Sequence, residues 1–324
     1  MAKNIQLSEM IGIILSGGFA TRMKPLTYSK PLLPLGGKPC IEHVCDKLSM
    51  IKNLDKIYIT TSKLFEEDYR KWLDSSELGE KFQLFIEPAK SEAEKLGALR
   101  AILYLIDKEE INDDLLVCAG DNYFDFSIIG LVEAYKKSNS LTVGLYDLKD
   151  KEKVKLYSEI TLEDNYIKHF EEKPNNPKSS LVSTALYVYQ KSSISLLREA
   201  VDNGYVDSPG KFIEFAVRKG HPVYGKVMDG TWIDIGDLSS YLHANSIVLS
   251  GKSHISRDSK VDGNSNIGSN VIIGKGSEII NSSIDNSIIL PNSVVNSSTV
   301  INSVIGANSR ISSKTIKEEI CEVN

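Results

Sequence analysis

Two glycines that follow a short apolar run are the first residues in this chain that could bind a substrate. Met10–Leu15 (MIGIIL) predicts a buried strand, and Gly17 and Gly18 follow it after one serine. A glycine-rich turn after a strand can present backbone N–H groups to phosphate oxygens, because no Cβ blocks their approach. The turn matches neither of the common phosphate-loop motifs, so a purely structural turn is an equally good interpretation at this point.

Two cations after the turn favour phosphate binding. Arg22 lies four residues beyond Gly18, and Lys30 follows eight residues later in the run SKPLLPL. Paired cations beside a glycine-rich turn suit a polyanionic substrate and the charge that develops during phosphoryl transfer.

Two aspartates that follow apolar strands are candidate metal ligands. Asp121 comes after Asp114–Ala119, and Asp234 lies in the run WIDIG. Mg²⁺ is commonly held by one or two carboxylates together with phosphate oxygens of the substrate. Either aspartate alone could be a helix N-cap, and Asp237 is the better candidate for that role. As a pair, Asp121 and Asp234 favour metal binding.

The segments that position these residues alternate between strand and helix patterns. Strand patterns at residues 10–15, 56–60, 82–86, 114–119 and 141–146 alternate with helical patterns near 41–51, 63–73, 96–106 and 129–136. This rhythm predicts an α/β fold with a Rossmann-like, mostly parallel sheet and helices on both faces. In such sheets ligands bind outside the carboxyl ends of the strands, where both Gly17 and Asp121 fall.

The C-terminal part of the chain has a different pattern. Aliphatic residues recur at every sixth position from Ile255 to Ile279; after a slip Val294 and Val300 resume the period, as do Ile305 and Ile311. Such hexapeptide repeats predict a left-handed parallel β-helix rather than disorder, although serine and asparagine are abundant. We therefore predict a catalytic domain at 1–246, a β-helix at 247–312, and a charged tail at 313–324 that is either a short capping helix or a frayed end.

Composition excludes several classes of protein. The net charge of −5 argues against a general nucleic-acid binder, and no apolar run has the length of a membrane span. The four cysteines have neither metal-site nor disulfide-framework spacing. They indicate buried thiols in a reducing compartment, so we predict a cytoplasmic, soluble protein.

The glycine turn and its continuation resemble a known family signature. GGFATRMKPLT at 17–27, KPLLPL at 30–35 and GKP at 37–39 are similar to the signature of sugar-1-phosphate nucleotidyltransferases of the glucose-1-phosphate thymidylyltransferase-like family. The resemblance covers residues 11–245, and the C-terminal repeats resemble the β-helix that several members carry. It implies an enzyme that joins a nucleoside triphosphate to a sugar 1-phosphate and releases pyrophosphate.

The resemblance also implies roles for residues at matching positions. Arg22, Lys30 and Asp121 would be catalytic, and Asp121 and Asp234 would hold Mg²⁺. The implied nucleotide-binding residues are Leu15, Gly17, Gly18, Thr21, Glu87 and Gly97. The implied sugar-phosphate-binding residues are Glu172, Lys173 and Thr184. Without the resemblance, Glu172 and Lys173 would be interpreted as an ordinary solvated hairpin pair.

Three positions depart from the family pattern. Ala20, Ser158 and Ala185 stand where many members have glycine. The last two add small side chains near the implied sugar site and leave the identity of the sugar open. Glu87 falls near the base-reading residues of thymidylyltransferase relatives, which leaves the base open as well.

Two other functions remain as alternatives. A bifunctional enzyme with an acyltransferase β-helix would need a histidine base, and His254 is the one histidine in the repeats. A non-catalytic regulatory subunit would typically lack the cations or the metal aspartates. We therefore favour an enzyme that uses glucose 1-phosphate with dTTP or UTP and that forms homo-oligomers through the β-helix, without nucleic-acid or membrane partners.

Overall fold

The computed structural model describes residues 10–18, 21–52 and 54–323, and of Thr21 it describes only the backbone. Phe19 and Ala20 of the signature lie outside the described residues. The chain divides into two units, which we call the first and the second unit. The first unit comprises Met1–Gly18, Val44–Gly120 and Phe124–Trp232, and the second comprises Phe19–His43, Asp121–Tyr123 and Ile233–Asn324.

Strands and helices alternate along the chain up to residue 249. The strands are β1 (Met10–Leu15), β2 (Pro34–Leu35), β3 (Lys38–Pro39), β4 (Lys56–Ser62), β5 (Phe82–Glu87), β6 (Asp114–Ala119), β7 (Asn122–Phe124), β8 (Leu141–Asp147), β9 (Ser158–Glu163), β10 (Tyr166–Glu172), β11 (Leu181–Tyr189), β12 (Val223–Val227) and β13 (Trp232–Asp234). The helices are α1 (Cys40–Ser49), α2 (Glu66–Ser75), α3 (Ala98–Lys108), α4 (Ile129–Ser138), α5 (Lys151–Val154), α6 (Ile194–Asp202), α7 (Pro209–Arg218) and α8 (Leu238–Leu249).

The first unit is built on a nine-stranded mixed sheet with the order β5-β4-β1-β6-β11-β8-β12-β10-β9. Strands β5, β4, β1 and β6 are parallel. Strand β11 runs antiparallel to both β6 and β8, and β10 runs antiparallel to both β12 and β9. The α/β prediction is confirmed, but the predicted mostly parallel sheet is wrong for the half that follows β6.

A tight turn explains the antiparallel pairing of β9 with β10. Asp164 and Asn165 connect the two strands with φ angles of 50° and 66°. Two consecutive residues with positive φ form the type of turn that matches the twist of an antiparallel hairpin, and Asp and Asn tolerate that conformation. The Asp164-Asn165 pair is a turn signal in the sequence, but the prediction of alternating strands and helices did not use it.

The parallel half of the sheet is buried because its strands carry apolar residues on both faces. Ile13 and Ile14 of β1 are both fully buried. Gly12 lies in β1 opposite Ile57 of β4. The absence of a side chain there lets the Ile57 side chain pack closely, since a Cβ on Gly12 would lie 2.9 Å from Cγ1 of Ile57. Helix α3 adds its apolar face to the same core through Leu99, Ile102 and neighbouring residues. This core holds the carboxyl end of β1, where the glycine turn begins.

The C-terminal part of the second unit consists of three stacks of short parallel strands. The strands are β14 (His254–Ile255), β15 (Lys260–Val261), β16 (Asn266–Ile267), β17 (Ile272–Ile273), β18 (Glu278–Ile280), β19 (Ser283–Asp285), β20 (Ile288–Ile289), β21 (Val294–Asn296), β22 (Thr299–Ile301), β23 (Val304–Ile305), β24 (Arg310–Ser312), β25 (Thr315–Lys317) and β26 (Ile320–Cys321). The stacks have the orders β14-β17-β20-β23-β26, β15-β18-β21-β24 and β16-β19-β22-β25.

The repeat length of these stacks changes along the chain. Ile255 pairs with Ile273, a step of eighteen residues, whereas Ile273 pairs with Ile289 and Ile289 with Ile305, steps of sixteen. The hexapeptide spacing therefore does not continue beyond Ile279. The predicted inward position Val294 is wrong as well, because its neighbour Val295 is the fully buried residue.

Left-handed residues at the corners account for the shorter steps. From Asn281 to Glu318, eight non-glycine residues have φ between 40° and 61°, and five of them are asparagine. Asparagine visits this region more readily than most residues, so it can turn the chain with one residue fewer. The abundant asparagines are thus corner residues.

The abundant serines satisfy buried backbone groups between successive strands. The Ser277 hydroxyl accepts a hydrogen bond from the Ser293 N–H at 3.1 Å and donates to the Leu290 carbonyl at 3.1 Å. The same sixteen-residue step links Ser303 N–H to Ser287 and Ser298 N–H to Ser282. Because buried backbone groups must be paired, these hydroxyls stabilise the stacks.

The predicted capping helix or frayed end at residues 313–324 is wrong. Strands β25 and β26 lie in this segment and continue two of the stacks. Over the described ranges, the helices are all too short or too polar to cross a membrane.

Candidate active site

The two predicted metal ligands lie together in the second unit. The side-chain amide of Asn122 donates to Oδ1 of Asp121 and to Oδ1 of Asp234, both at 3.3 Å. The Ile235 N–H donates to the Asp121 carbonyl at 3.0 Å and holds the two chain segments side by side. One amide group therefore bridges the two carboxylates.

Asp234 is not the N-cap of a helix in the structure. Asp237, not Asp234, caps α8: its side chain accepts from the Ser240 N–H at 2.8 Å, and the Ser240 hydroxyl caps in return. Asp121 precedes a strand rather than a helix. Neither aspartate is thus used as a helix cap.

Both predicted cations lie beside these carboxylates. Nζ of Lys30 is 3.6 Å from Oδ2 of Asp121, and the Lys30 side chain is 12% exposed. The Arg22 guanidinium lies against Gly236, where an added Cβ would come within 2.9 Å of it. We call Arg22, Lys30, Asp121 and Asp234 the cation–carboxylate cluster.

The electrostatics of the cluster fit a divalent cation. Burial, followed by the charge of Asp121, raises the pKa of Asp234 to about 6, although Lys30 and Arg22 act in the opposite direction. A buried carboxylate whose ionisation is disfavoured by a neighbouring negative charge gains from a divalent cation beside it, and oxygen ligands of this kind suit Mg²⁺.

The second unit also explains how the cations are held. Met23, Leu33 and Leu35, which flank Arg22 and Lys30, belong to one buried cluster with Ile272 and Ile288 of the strand stacks. The hydroxyl of Tyr241 in α8 donates to the Pro34 carbonyl at 2.7 Å. The C-terminal stacks and α8 therefore support the segment that carries both cations.

The glycine turn lies in the first unit at the end of β1. The Gly120 N–H donates to the Leu15 carbonyl at 2.9 Å, so the Leu15 backbone is part of the sheet. Gly17 and Gly18 face different surroundings. A Cβ on Gly17 would lie 2.9 Å from Oε1 of Glu87, whereas a Cβ on Gly18 would meet no atom of the described residues within 4 Å. Gly18 is the open position of the turn, and the Thr21 side chain lies outside the described residues.

The other two predicted nucleotide-binding residues have different environments. Glu87 ends β5 and is only 6% exposed. Burial raises the pKa of Glu87, and the neighbouring Thr60 hydroxyl partly offsets the shift. Gly97 precedes α3 with φ 82°, and a Cβ there would lie 2.5 Å from the Val206 carbonyl oxygen. Gly97 is therefore required for backbone packing, whatever its role toward a ligand.

Glu172 and Lys173 lie where β10 ends. The Ser208 hydroxyl donates to Oε1 of Glu172 at 3.2 Å. Burial raises the pKa of Glu172, while the Ser208 hydrogen bond and the charge of Lys211 lower it. Lys173 has φ 51°, and its N–H donates to the Tyr157 carbonyl at 2.6 Å. The strained backbone turns the exposed Lys173 side chain away from the strand path.

Thr184, the third predicted sugar-phosphate residue, is fully buried, and its hydroxyl donates to the Gly144 carbonyl at 2.9 Å. Two of the three departures from the family pattern, Ser158 and Ala185, lie within the first unit. Ser158 accepts a hydrogen bond from the Ser183 N–H at 3.1 Å. Ala185 has φ 56° at an irregularity in β11, a conformation that glycine adopts without cost.

The family model for nucleotidyl transferases matches residues 11–251, well over half of the chain. This chain belongs to the nucleotidyl transferase family. Nucleotidyl transferases of this family generally use a divalent metal, which agrees with the electrostatics of the cation–carboxylate cluster.

Relatives of this nucleotidyl transferase act on different sugars and bases. A protein of Sulfolobus acidocaldarius, provisionally named a mannose-1-phosphate guanyltransferase, is 27% identical over 287 residues, which cover 84% of this chain and 75% of that protein. The UTP–glucose-1-phosphate uridylyltransferase of Synechocystis sp. is 27% identical over 251 residues, 74% of this chain and 64% of that enzyme. The chain thus spans less than two thirds of the length of the second relative.

A solved structure shares the fold of this nucleotidyl transferase. The crystal structure of a Bacillus anthracis protein with sucrose, provisionally named a glucose-1-phosphate thymidylyltransferase, aligns with a TM-score of 0.64 and 29% identity. The alignment covers 74% of this chain and 95% of that one.

Sequence reasoning missed several residues that hold the site of this nucleotidyl transferase. No role was assigned from the sequence to Asn122, Ser208 or Gly210. The run Ser208-Pro209-Gly210 carries a helix-start signal, a cap-type residue followed by proline. That signal predicts where α7 begins, but it does not reveal that α7 begins beside Glu172.

Proposed function

We propose that this chain transfers a nucleotidyl group from a nucleoside triphosphate to a sugar 1-phosphate, giving a nucleotide sugar and pyrophosphate. The observation that carries the proposal is the cation–carboxylate cluster of the second unit, found in a chain of the nucleotidyl transferase family. The names of two relatives support a sugar 1-phosphate as the acceptor.

The proposed reaction is a single in-line displacement. A phosphate oxygen of the sugar 1-phosphate attacks the α-phosphorus, and the bond from that phosphorus to the bridging oxygen of pyrophosphate breaks. Arg22 and Lys30 neutralise the charge that develops on the phosphates. Asp121 and Asp234, oriented by Asn122, would hold Mg²⁺. When bound, this ion supplies charge neutralisation at the α-phosphate.

The first unit carries the other predicted ligand-binding residues apart from Thr21. Gly18 offers an unobstructed backbone to phosphate oxygens, and Glu172 can accept hydrogen bonds from sugar hydroxyls. Lys173 is an exposed cation suited to the phosphate of the sugar. Leu15, Gly17, Thr21, Glu87, Gly97 and Thr184 remain predicted ligand-binding positions. Glucose 1-phosphate is the first sugar to test, and family frequency favours dTTP and UTP.

Pyrophosphate release tests the proposal. We expect release that depends on Mg²⁺, on glucose 1-phosphate and on a nucleoside triphosphate. Asp121→Asn should abolish most of the release, while the control Asp55→Asn, an exposed aspartate outside the cluster, should retain it. Absence of release with any nucleotide, with mannose, galactose and N-acetylglucosamine 1-phosphates tested as well, would refute the proposal.

We further propose that the three strand stacks form a left-handed β-helix and that the chain assembles into homo-oligomers through it. The flat stacks with open terminal strands support this assembly. The domain limits 1–246, 247–312 and 313–324 and the cytoplasmic location stay predictions. Light scattering of the full chain at several concentrations tests the oligomer.

A further inference from the structure

Glu87 is a buried carboxylate that the protein leaves incompletely paired. It is 6% exposed, and within residues 10–18, 21–52 and 54–323 the Thr60 hydroxyl is the one neighbouring donor that acts on it, although this hydroxyl forms no hydrogen bond of ordinary geometry. An ionised carboxylate has about four acceptor sites, and burying it without partners is costly. The remaining acceptor capacity of Glu87 therefore calls for donors from outside the chain.

Neighbouring side chains show the same unmet hydrogen bonding. The hydroxyls of Ser16, Thr61 and Ser62 are buried and have no hydrogen-bond partner within the described ranges. Ser62 is the direct strand partner of Glu87, and Ser16 immediately precedes Gly17. Several orphaned polar groups at the carboxyl ends of adjacent parallel strands are typical of a site that a ligand completes.

The position of the carboxylate divides the glycine turn into two parts. Oε1 of Glu87 lies 2.9 Å from where a Cβ of Gly17 would be, and Gly18 faces open space. A carboxylate repels phosphate, so the nucleotide phosphates belong at Gly18. The part of the nucleotide that reaches Gly17 must offer hydrogen-bond donors, and these occur only on the base and the ribose.

Few parts of a nucleoside place two donors side by side. Guanine does so with its N1–H and its 2-amino group, and ribose does so with its 2′- and 3′-hydroxyls. Thymine and uracil present one N–H between two carbonyls that a carboxylate would repel. Adenine and cytosine place their amino group beside an acceptor nitrogen. Thymidine triphosphate, which lacks the 2′-hydroxyl, has neither paired arrangement.

We infer that Glu87 selects the nucleotide substrate by accepting two adjacent hydrogen bonds from its nucleoside, from a guanine edge or a ribose diol, and so disfavours dTTP. This inference rests on the proposed function, of which it specifies the nucleotide. Paired, charge-assisted hydrogen bonds of this kind discriminate by about 10- to 100-fold.

A nucleotide panel tests the inference. The values of kcat/KM from pyrophosphate release would be compared for GTP, dGTP, ITP, UTP, dTTP, ATP and CTP at fixed glucose 1-phosphate. If the guanine edge is read, GTP and dGTP exceed ITP, UTP and dTTP by about tenfold or more. If the ribose is read, GTP and UTP exceed dGTP and dTTP by a similar factor.

The variant Glu87→Gln links either result to this residue. It keeps the side-chain shape but turns one acceptor into a donor, so we expect kcat/KM for the preferred nucleotide to fall by about 10- to 100-fold with dTTP unchanged. Glu92 is an exposed glutamate outside the nine-stranded sheet, so Glu92→Gln serves as the matched control. The inference is wrong if dTTP is the preferred substrate, if ATP or CTP is preferred while GTP is used no better than dGTP, or if Glu87→Gln keeps the wild-type order.

Calorimetric binding of the same nucleotides separates this inference from the proposed function. If no nucleotide supports turnover, the proposed function fails, yet the binding order still decides the role of Glu87. Tighter binding of GTP, or of ribonucleotides over deoxynucleotides, with loss of that order in Glu87→Gln, would support the inference. Equal binding of dTTP would overturn it.

Discussion

Gly210, at the start of α7, provides a sharp test of how Glu172 is positioned. A Cβ at this residue would lie 1.9 Å from Oε1 of Glu172, and real Cβ contacts are essentially never shorter than 3.0 Å. In Gly210→Ala the carboxylate must therefore move by at least 1.1 Å, the difference between these distances. The shift would separate Glu172 from the Ser208 hydroxyl, which donates to it at 3.2 Å.

A displacement of about 1 Å at a substrate-positioning group can lower the rate about 100-fold. We therefore expect kcat/KM for the sugar 1-phosphate to fall about 100-fold in Gly210→Ala, which corresponds to about 2.7 kcal/mol. Replacing glycine by alanine within a helix usually stabilises the fold by about 0.5–1 kcal/mol. Loss of activity should thus occur without loss of stability.

The assay is initial-rate pyrophosphate release at varied sugar 1-phosphate and at varied nucleotide, together with thermal unfolding. Gly130→Ala is the matched control, because Gly130 is also the second residue of a helix, and its added Cβ would approach nothing closer than 4.0 Å. The control should keep wild-type kinetics. Wild-type kcat/KM for the sugar 1-phosphate in Gly210→Ala, or a loss confined to the nucleotide, would refute this reasoning.

Three further predictions concern other parts of the molecule. Asp121→Asn should lower kcat by about 10²- to 10³-fold, because it removes charge from the cation–carboxylate cluster, while circular dichroism and the melting temperature stay close to those of the wild type. Glu172→Gln should raise the free energy of unfolding at pH 8. The raised pKa of Glu172 means that the folded state disfavours the ionised form, and the substitution removes that cost. The gain in the free energy of unfolding should therefore shrink as the pH falls and vanish below the ordinary pKa of 4.5. Urea titrations at several pH values measure this dependence. Ser277→Ala should cost about 1–3 kcal/mol in urea unfolding, because it leaves a buried N–H and a buried carbonyl unpaired, whereas the exposed control Ser312→Ala should change stability by less than about 0.5 kcal/mol.

The amino-acid sequence was sufficient to locate the elements that carry chemistry. The apolar run before Gly17 and the one before Asp121 predicted β1 and β6, and both strands are buried in the parallel part of the sheet. The choice of Asp237 as the helix cap was also confirmed. These features depend on residues that are close in sequence, where periodicity and capping chemistry act directly.

Long-range pairing was harder to predict. The antiparallel insertion of β11 between β6 and β8 has no local signal, because either strand direction buries the same apolar faces. The sixteen-residue steps of the stacks depend on corner residues such as Asn281 and Asn286, whose positive φ angles are not specified by the hexapeptide pattern. The hexapeptide pattern therefore ended earlier than predicted.

Residue types and local spacing indicated phosphoryl-transfer chemistry, since glycines, cations and carboxylates at strand ends suit it, and the resemblance to a family signature indicated the reaction class. The tertiary structure decided which of these groups meet. It brought Lys30 beside Asp121, 91 residues further along the chain, and Asn122 beside Asp234, 112 residues further along. It also placed Gly210 against Glu172. Such contacts arise from the packing of whole elements, and no local pattern in the sequence encodes the distance between two side chains that lie on different elements.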